Sequence, residues 1–337
     1  MHTFEKAPPE VRELLGKRIK ELGLRLEGSP VERFIHQLYG ELERKGLRRF
    51  RPTCYLSDEW GCPSGQPVIG IPFYLANPRL SSLEKLMNDL EDEREIMMYL
   101  RHEAGHAFNY AYVLYSTPEW REIFGRFNRA YRDDFRPVPF SRRYVRHIAG
   151  WYAQKHPDED FAETFAVWLT PRSKWRRRYQ GWPAMGKLKY INRIARRLGE
   201  RDAVVGMGTF DLTVEEMDIT LEEFYRQAEA RGQQAADVAM VADLGDIFFQ
   251  KGRRRKGIRP AAGIVEVHQQ AFVEKIARWT GVSRPVVRAL VESLARHCAQ
   301  QDLWAEEGRE AAYLVELTAY GTTLAMNYVT RGRFVPS

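Results

Sequence analysis

The chain of 337 residues is long enough for two or three domains, each with its own core. Hydrophobic residues make up 44% and charged residues 29%, which excludes a disordered or fibrous chain. The 52 Lys and Arg against 45 Asp and Glu leave a net charge of +7, compatible with an acidic substrate or with nucleic acid but demanding neither.

Val11, Leu14, Leu15, Ile19 and Leu22 recur at helical spacing and predict a first helix. A second follows Ser29-Pro30-Val31-Glu32, with Ser29 at the N-cap, Pro30 at the first helical position and Glu32 closing a capping box. Residues 47–80 change character. LRRFRPTCYL and PVIGIPFYLA are rich in β-branched and aromatic residues, and the turn formers of DEWGCPSGQP separate them. This pattern predicts a small antiparallel sheet. Pro67 and Pro72 put PVIGIPFYLA at its edge, where an extended peptide could add as a strand.

One long helix is expected over 82–115, then a mixed stretch with a loop at RDDFRPVPFSRR, residues 132–143. A shorter helix runs over about 157–169 and stops before Thr170-Pro171. From 213 onward the pattern is helical. Thr220 to Glu223 forms a capping box, and helices follow near 234–250, 264–280, 284–300 and 303–330. The most apolar stretch, AAYLVELTAYGTTLAMNYV, carries Glu316 and Asn327 and reads as a buried helix, not a membrane span. Three cysteines without a CxxC pair and an N-terminus without an apolar leader make a reduced, cytoplasmic protein the expectation.

The chemistry concentrates at Arg101-His102-Glu103-Ala104-Gly105-His106. On a helix, positions i and i+4 share a face, so both imidazoles can reach one zinc ion. Glu103 lies between them, within reach of a water at that metal. Two histidines and a glutamate in a helix with apolar flanks also need partners. The second motif is Tyr152-Ala153-Gln154-Lys155-His156-Pro157-Asp158-Glu159-Asp160-Phe161-Ala162-Glu163. Glu159 and Glu163 stand one turn apart on one face. One can bind the metal while the other accepts the second N–H of a liganding histidine.

Together the two motifs resemble the bacterial zinc-binding metallopeptidases of the gluzincin type, most strongly over about residues 67–171 and extending from about 20. The resemblance implies an α+β fold. That part is a zincin-like catalytic domain, with a small antiparallel sheet packed on the HExxH helix and a helical second lobe, and the helical pattern after 213 adds a mostly α-helical C-terminal domain. The expected boundaries are 1–50 for N-terminal helices, 51–200 for the catalytic domain and 201–337 for the helical domain. It implies Zn2+ held by His102, His106 and Glu159, with Glu163 behind them; Glu163 as the ligand is the alternative. It further implies that a zinc-activated water hydrolyses a peptide bond, with Glu103 as general base and Tyr152, seven residues before Glu159, as oxyanion donor. His156 is a further catalytic candidate, against a structural role at a helix start. The partner is then a peptide or protein substrate, acidic if the basic runs Lys174–Tyr179 and Lys251–Lys256 engage it. The cysteine-rich zinc ribbon that many such proteins carry at the N-terminus is missing from this sequence.

Two other functions fit the same residues. One is a zinc amidase acting on a modified or branched amide. The other is a DNA- or protein-binding regulator that carries a zincin fold. Ala277, Gly281, Val287 and Leu290 match the spacing of a helix-turn-helix, but the second helix is long and offers few base-reading side chains. That spacing equally suits a plain helical hairpin.

Overall fold

The computed structural model describes residues 9–87, 90–131, 137–138, 140–227, 244–250, 257–331 and 334. The chain divides into two compact units. The first comprises Met1–Arg132 and Val138–Phe224, and the second Asp133–Pro137 and Tyr225–Ser337.

In the first unit, α1 (Pro9–Leu15) is shorter than its apolar pattern, and a separate 3-10 turn takes Ile19–Glu21. Helix α2 (Glu32–Arg44) buries Phe34, Ile35, Leu38 and Leu42. The capping box expected at its start does not form. The Ser29 hydroxyl donates to the Leu26 carbonyl, and Glu32 accepts from the Gly28 N–H instead.

Strands β1 (Thr53–Ser57) and β2 (Val68–Pro72) are the two apolar runs, but they pair in parallel, Thr53 opposite Val68 and Ser57 opposite Pro72. This corrects the antiparallel expectation. The connection is no hairpin turn: it runs back far enough for Gly61 to exchange both backbone hydrogen bonds with Gly70, at 2.7 and 3.3 Å. Parallel strands need such a crossover. The bridge engages the centre of β2, and all five of its residues are buried. The open edge expected for a docked peptide is therefore closed at that point.

The single helix expected over 82–115 is two. Helix α3 (Pro78–Met87) ends, and α4 (Glu93–Ala111) starts afresh at Asp92. The Asp92 carboxylate accepts from the Arg94 and Glu95 N–H groups, and Glu95 accepts from the Asp92 N–H. This reciprocal cap satisfies orphan donors at the helix start. Helix α5 (Pro118–Phe124) follows, and then α6 (Pro157–Leu169), all thirteen of whose residues are buried. Helix α7 (Trp175–Arg178) carries the first basic run, with Trp175 buried and its three arginines exposed. Helix α8 (Ala184–Leu198) packs against α6 and buries Leu188, Ile191 and Ile194, and α9 begins at Leu221.

Helices α4 and α6 come together backbone to backbone. A Cβ on Gly105 would lie 2.7 Å from the Cα of Ala162 and 2.9 Å from its carbonyl oxygen. Glycine here is a packing requirement, since no side chain fits between the two backbones.

The second unit is helical with a small sheet that the sequence pattern hid. Strands β3 (Phe249–Gln250), β4 (Ile258–Pro260) and β5 (Leu303–Glu306) form an antiparallel sheet with β5 in the middle. Helices α10 (Leu244–Ile247), α11 (Ala261–Val267), α12 (Gln269–Thr280), α13 (Arg284–Gln300) and α14 (Glu310–Arg331) surround a core that includes Phe272, Ile276, Leu290, Leu294 and Leu317. Three expectations are revised. The helix near 264–280 breaks at His268, β5 replaces the start of the helix at 303, and α14 is amphipathic, with Leu317 buried and Val315 exposed. Most of the helix expected near 234–250, the second basic run and part of the loop at 132–143 lie outside the described residues. Among the described residues no helix is long and apolar enough to cross a membrane.

The Gly105 contact makes a direct prediction. Gly105→Ala should destabilise the protein by at least about 1–3 kcal/mol, because backbone on both sides resists displacement. Urea unfolding measures this, and a midpoint unchanged from wild type would show that α4 and α6 can separate at no cost.

Candidate metal centre

From His102 to Ala111, every residue of α4 is buried, so its polar side chains must find partners inside the protein. Those partners come from α6. The Nε2 atoms of His102 and His106 lie 3.1 Å apart, and Oε2 of Glu159 lies 3.0 Å from the first and 3.2 Å from the second. Four ligands at about 2.0–2.2 Å in a tetrahedron stand about 3.3 Å from one another, so the three atoms are spaced as three corners around zinc. The buried group His102, His106 and Glu159 can thus hold a metal ion. Its donors, two imidazoles and one carboxylate, are ligands that zinc accepts, and three of them leave a tetrahedral fourth position open.

A layer of hydrogen bonds fixes each imidazole. Nδ1 of His102 donates to Oε1 of Glu163 at 3.0 Å. Glu163 is held in turn by the backbone N–H groups of His147 and Ile148 at 3.0–3.2 Å. Nδ1 of His106 donates to Oδ2 of Asp158 at 2.9 Å. Asp158 also accepts from the Asn109 amide at 2.7 Å and from the Tyr110 hydroxyl. With Nδ1 donating, each ring turns Nε2 toward the shared point, which is how outer carboxylates set a ligand's tautomer. Glu163 thus lies on the Nδ1 side of His102, and Glu159 on the side that the two Nε2 atoms share.

Electrostatics agree with a cationic occupant. Glu103, Asp158, Glu159 and Glu163 bring four buried carboxylates to two imidazoles. Burial alone would pull the His102 imidazolium down, but hydrogen bonds to Glu159 and Glu163 overcome it and push its pKa to about 9. Burial opposes ionisation of Glu159, yet the His106 charge and both imidazole bonds hold it well below the usual carboxylate range. A dication would balance this excess of negative charge.

Burial raises the pKa of Glu103, with His102 and His106 pulling the other way. No hydrogen bond to a described residue occupies its carboxylate. Tyr152 sits in a 3-10 turn after Trp151, its ring 5.7 Å from that of His102. Its hydroxyl lies 3.3 Å from that of Tyr131, and burial raises its pKa.

His156 is placed differently from its catalytic expectation. It is the N-cap of α6: Nδ1 accepts from the Asp158 N–H at 3.1 Å, and Nε2 donates to the Arg129 carbonyl at 2.9 Å. Both ring nitrogens are committed to backbone.

Residues 76–176 match the model of a family described as "Putative zinc-binding metallo-peptidase". The matched segment contains α4 and α6, and with them every residue of the metal group. The zinc-binding description of that family and the buried His–His–Glu group agree on the cofactor. No curated protein and no solved structure matches the chain.

Four participants escaped the sequence reading: Asp158, Asn109, Tyr110 and Tyr131. Asn109 and Tyr110 stand three and four residues after His106, on its own helix face, so helical spacing could have found them. Asp158 is the residue before Glu159 and could have been weighed as a partner for the second imidazole. Nothing local in the sequence marks Tyr131.

Ligand and outer carboxylate are separable by experiment. In a chelator competition, Glu159→Ala should lose more zinc affinity than Glu163→Ala or Asp158→Ala, each of which should lose roughly 10–100-fold. A larger loss in Glu163→Ala than in Glu159→Ala would make Glu163 the ligand.

Proposed function

We propose that this protein is a gluzincin-type, zinc-dependent metallopeptidase, with His102, His106 and Glu159 as ligands and a peptide or protein as substrate. The observation that carries this reading is the three-atom group at tetrahedral spacing beside a buried glutamate that no hydrogen bond to a described residue engages. When bound, zinc supplies Lewis acidity at the scissile carbonyl and brings the pKa of water toward about 7.

The chain's own residues do the rest. Glu103 accepts a proton from the attacking water, whose oxygen bonds to the carbonyl carbon. The carboxyl group then delivers that proton to the amine nitrogen as the C–N bond breaks. Burial raises the pKa of Glu103, which makes its carboxylate a better acceptor for the water's proton. The Tyr152 hydroxyl donates to the oxygen that gains negative charge. Glu163 and Asp158 keep the Nδ1 protons of the two histidines in place, so each Nε2 stays a lone-pair donor. His156, with both ring nitrogens engaged, takes no proton and serves as the cap that starts α6.

All three cysteines are free thiols, which suits a reducing compartment, and we take the cytoplasm as the location.

The test separates zinc binding from chemistry. Glu103→Gln should retain about one zinc per chain and lose at least roughly 10²–10⁴-fold in rate, since one group handles both proton transfers. Tyr152→Phe should lower kcat by roughly 10–10³-fold at unchanged zinc content. The substrate is a peptide selected from a broad library, with zinc measured in the same samples. Wild-type rates in Glu103→Gln would rule out this mechanism. A fully zinc-loaded wild type that cleaves no member of the library would remove linear peptides as the substrate.

A further inference from the structure

The two oxygens of Glu159 have different neighbours. Oε2 faces both imidazole Nε2 atoms, and Oε1 accepts a hydrogen bond from the Tyr131 hydroxyl. A carboxylate only accepts, so the single hydrogen of Tyr131 points at Glu159. The Tyr131 oxygen, 3.3 Å from that of Tyr152, must then be the acceptor in that pair, with Tyr152 as donor. A directed chain results, from Tyr152 through Tyr131 to Glu159.

Tyr131 is about half exposed and lies in neither helix of the site, yet it is anchored. Nε2 of His156 donates to the carbonyl of Arg129, two residues earlier, and the His156 ring packs 5.4 Å from the Tyr131 ring. The Lys155 ammonium lies over the Tyr131 ring at 4.5 Å and the Tyr152 ring at 5.5 Å. The residues that open α6 thus also seat the tyrosine on its ligand.

We propose that Tyr131 is the positioning residue of the third ligand: its hydroxyl holds Oε1 of Glu159 so that Oε2 alone faces the metal, and it orients the Tyr152 hydroxyl beside it. This inference rests on the metal site proposed above. It gives each ligand its own outer partner: Glu163 for His102, Asp158 for His106 and Tyr131 for Glu159. Two of these partners lie on α6, and the third comes from an irregular segment. A ligand carboxylate is itself hydrogen-bonded in well-ordered metal sites, and loss of such a partner weakens the site without removing a ligand. The chain also accounts for Tyr152 before substrate arrives. Its hydrogen rests on a long contact to Tyr131, which a developing oxyanion can replace.

The experiment uses the full chain and Zn2+ itself. Zinc-stripped wild type and Tyr131→Phe are titrated against a competing chelator, and unfolding of the zinc-free proteins is followed in parallel. Tyr131→Phe should bind zinc roughly 10–100-fold more weakly while the zinc-free proteins unfold alike. On a Glu159→Ala background the same change should have no further effect, because Tyr131 acts through Glu159. Cobalt-substituted Tyr131→Phe should also show an altered visible spectrum, since the freed carboxylate can then offer both oxygens. Equal zinc affinity in wild type and Tyr131→Phe would overturn this inference alone, and so would an equal loss on the Glu159→Ala background. A wild type that binds no stoichiometric zinc would instead overturn the metal site.

Discussion

The backbone contact between Gly105 on α4 and Ala162 on α6 is the constraint on which the site depends. Two helices that touch this closely exclude water between them, and α6 is buried along its whole length. Yet it carries Asp158, Glu159, Asp160 and Glu163. Four carboxylates removed from water are tolerable only with partners. Each has them. Asp158 takes His106, Asn109 and Tyr110; Glu159 takes both imidazoles and Tyr131; Glu163 takes His102 and two backbone N–H groups; and Asp160 takes Lys187 of α8 at 2.5 Å. Even with that lysine, burial pushes Asp160 up to about 7. The His–His–Glu group is thus part of how the carboxylates of a buried helix find partners.

This arrangement explains how much of the site was legible. His102, Glu103 and His106 lie four residues apart at most on one helix, and Glu159 and Glu163 lie one turn apart on another. Helical periodicity puts each set on one face, so spacing carries their chemistry. Which glutamate faces the metal is a matter of register between two helices, and spacing leaves that open. The resemblance implied Glu159, and the geometry turns Glu159 Oε2 to both Nε2 atoms and Glu163 to the far side of His102. Tyr131 was not legible, because its place follows from a hydrogen bond between the cap of α6 and a loop carbonyl.

The fold was legible where local periodicity decides and obscure where partners decide. The span of α6 followed from pattern and from Thr170-Pro171. Strand direction did not: two apolar runs with turn formers between them suit a hairpin or a crossover, and the Gly61–Gly70 bridge selects the crossover. The break before α4 was present in the sequence as Asp92 and Glu95, a capping pair hidden inside a continuous apolar rhythm. The sheet of the second unit has strands of two to four residues, too short for alternation to rise above the helical background.

The site divides its tasks between rigid and irregular backbone. His102, His106 and Glu159, with Asp158 and Glu163 behind the two imidazoles, project from α4 and α6, whose separation is set by backbone contact. Ligand geometry therefore tolerates little error, as a metal site requires. The two tyrosines come from outside these helices, Tyr152 from a 3-10 turn after the left-handed Trp151 and Tyr131 from the segment tied down by His156. His156 joins the two parts. By capping α6 with Nδ1 and holding Arg129 with Nε2, one imidazole fixes where that helix begins and where Tyr131 sits. The two backbone contacts it makes account for its burial beside His106 and Glu159.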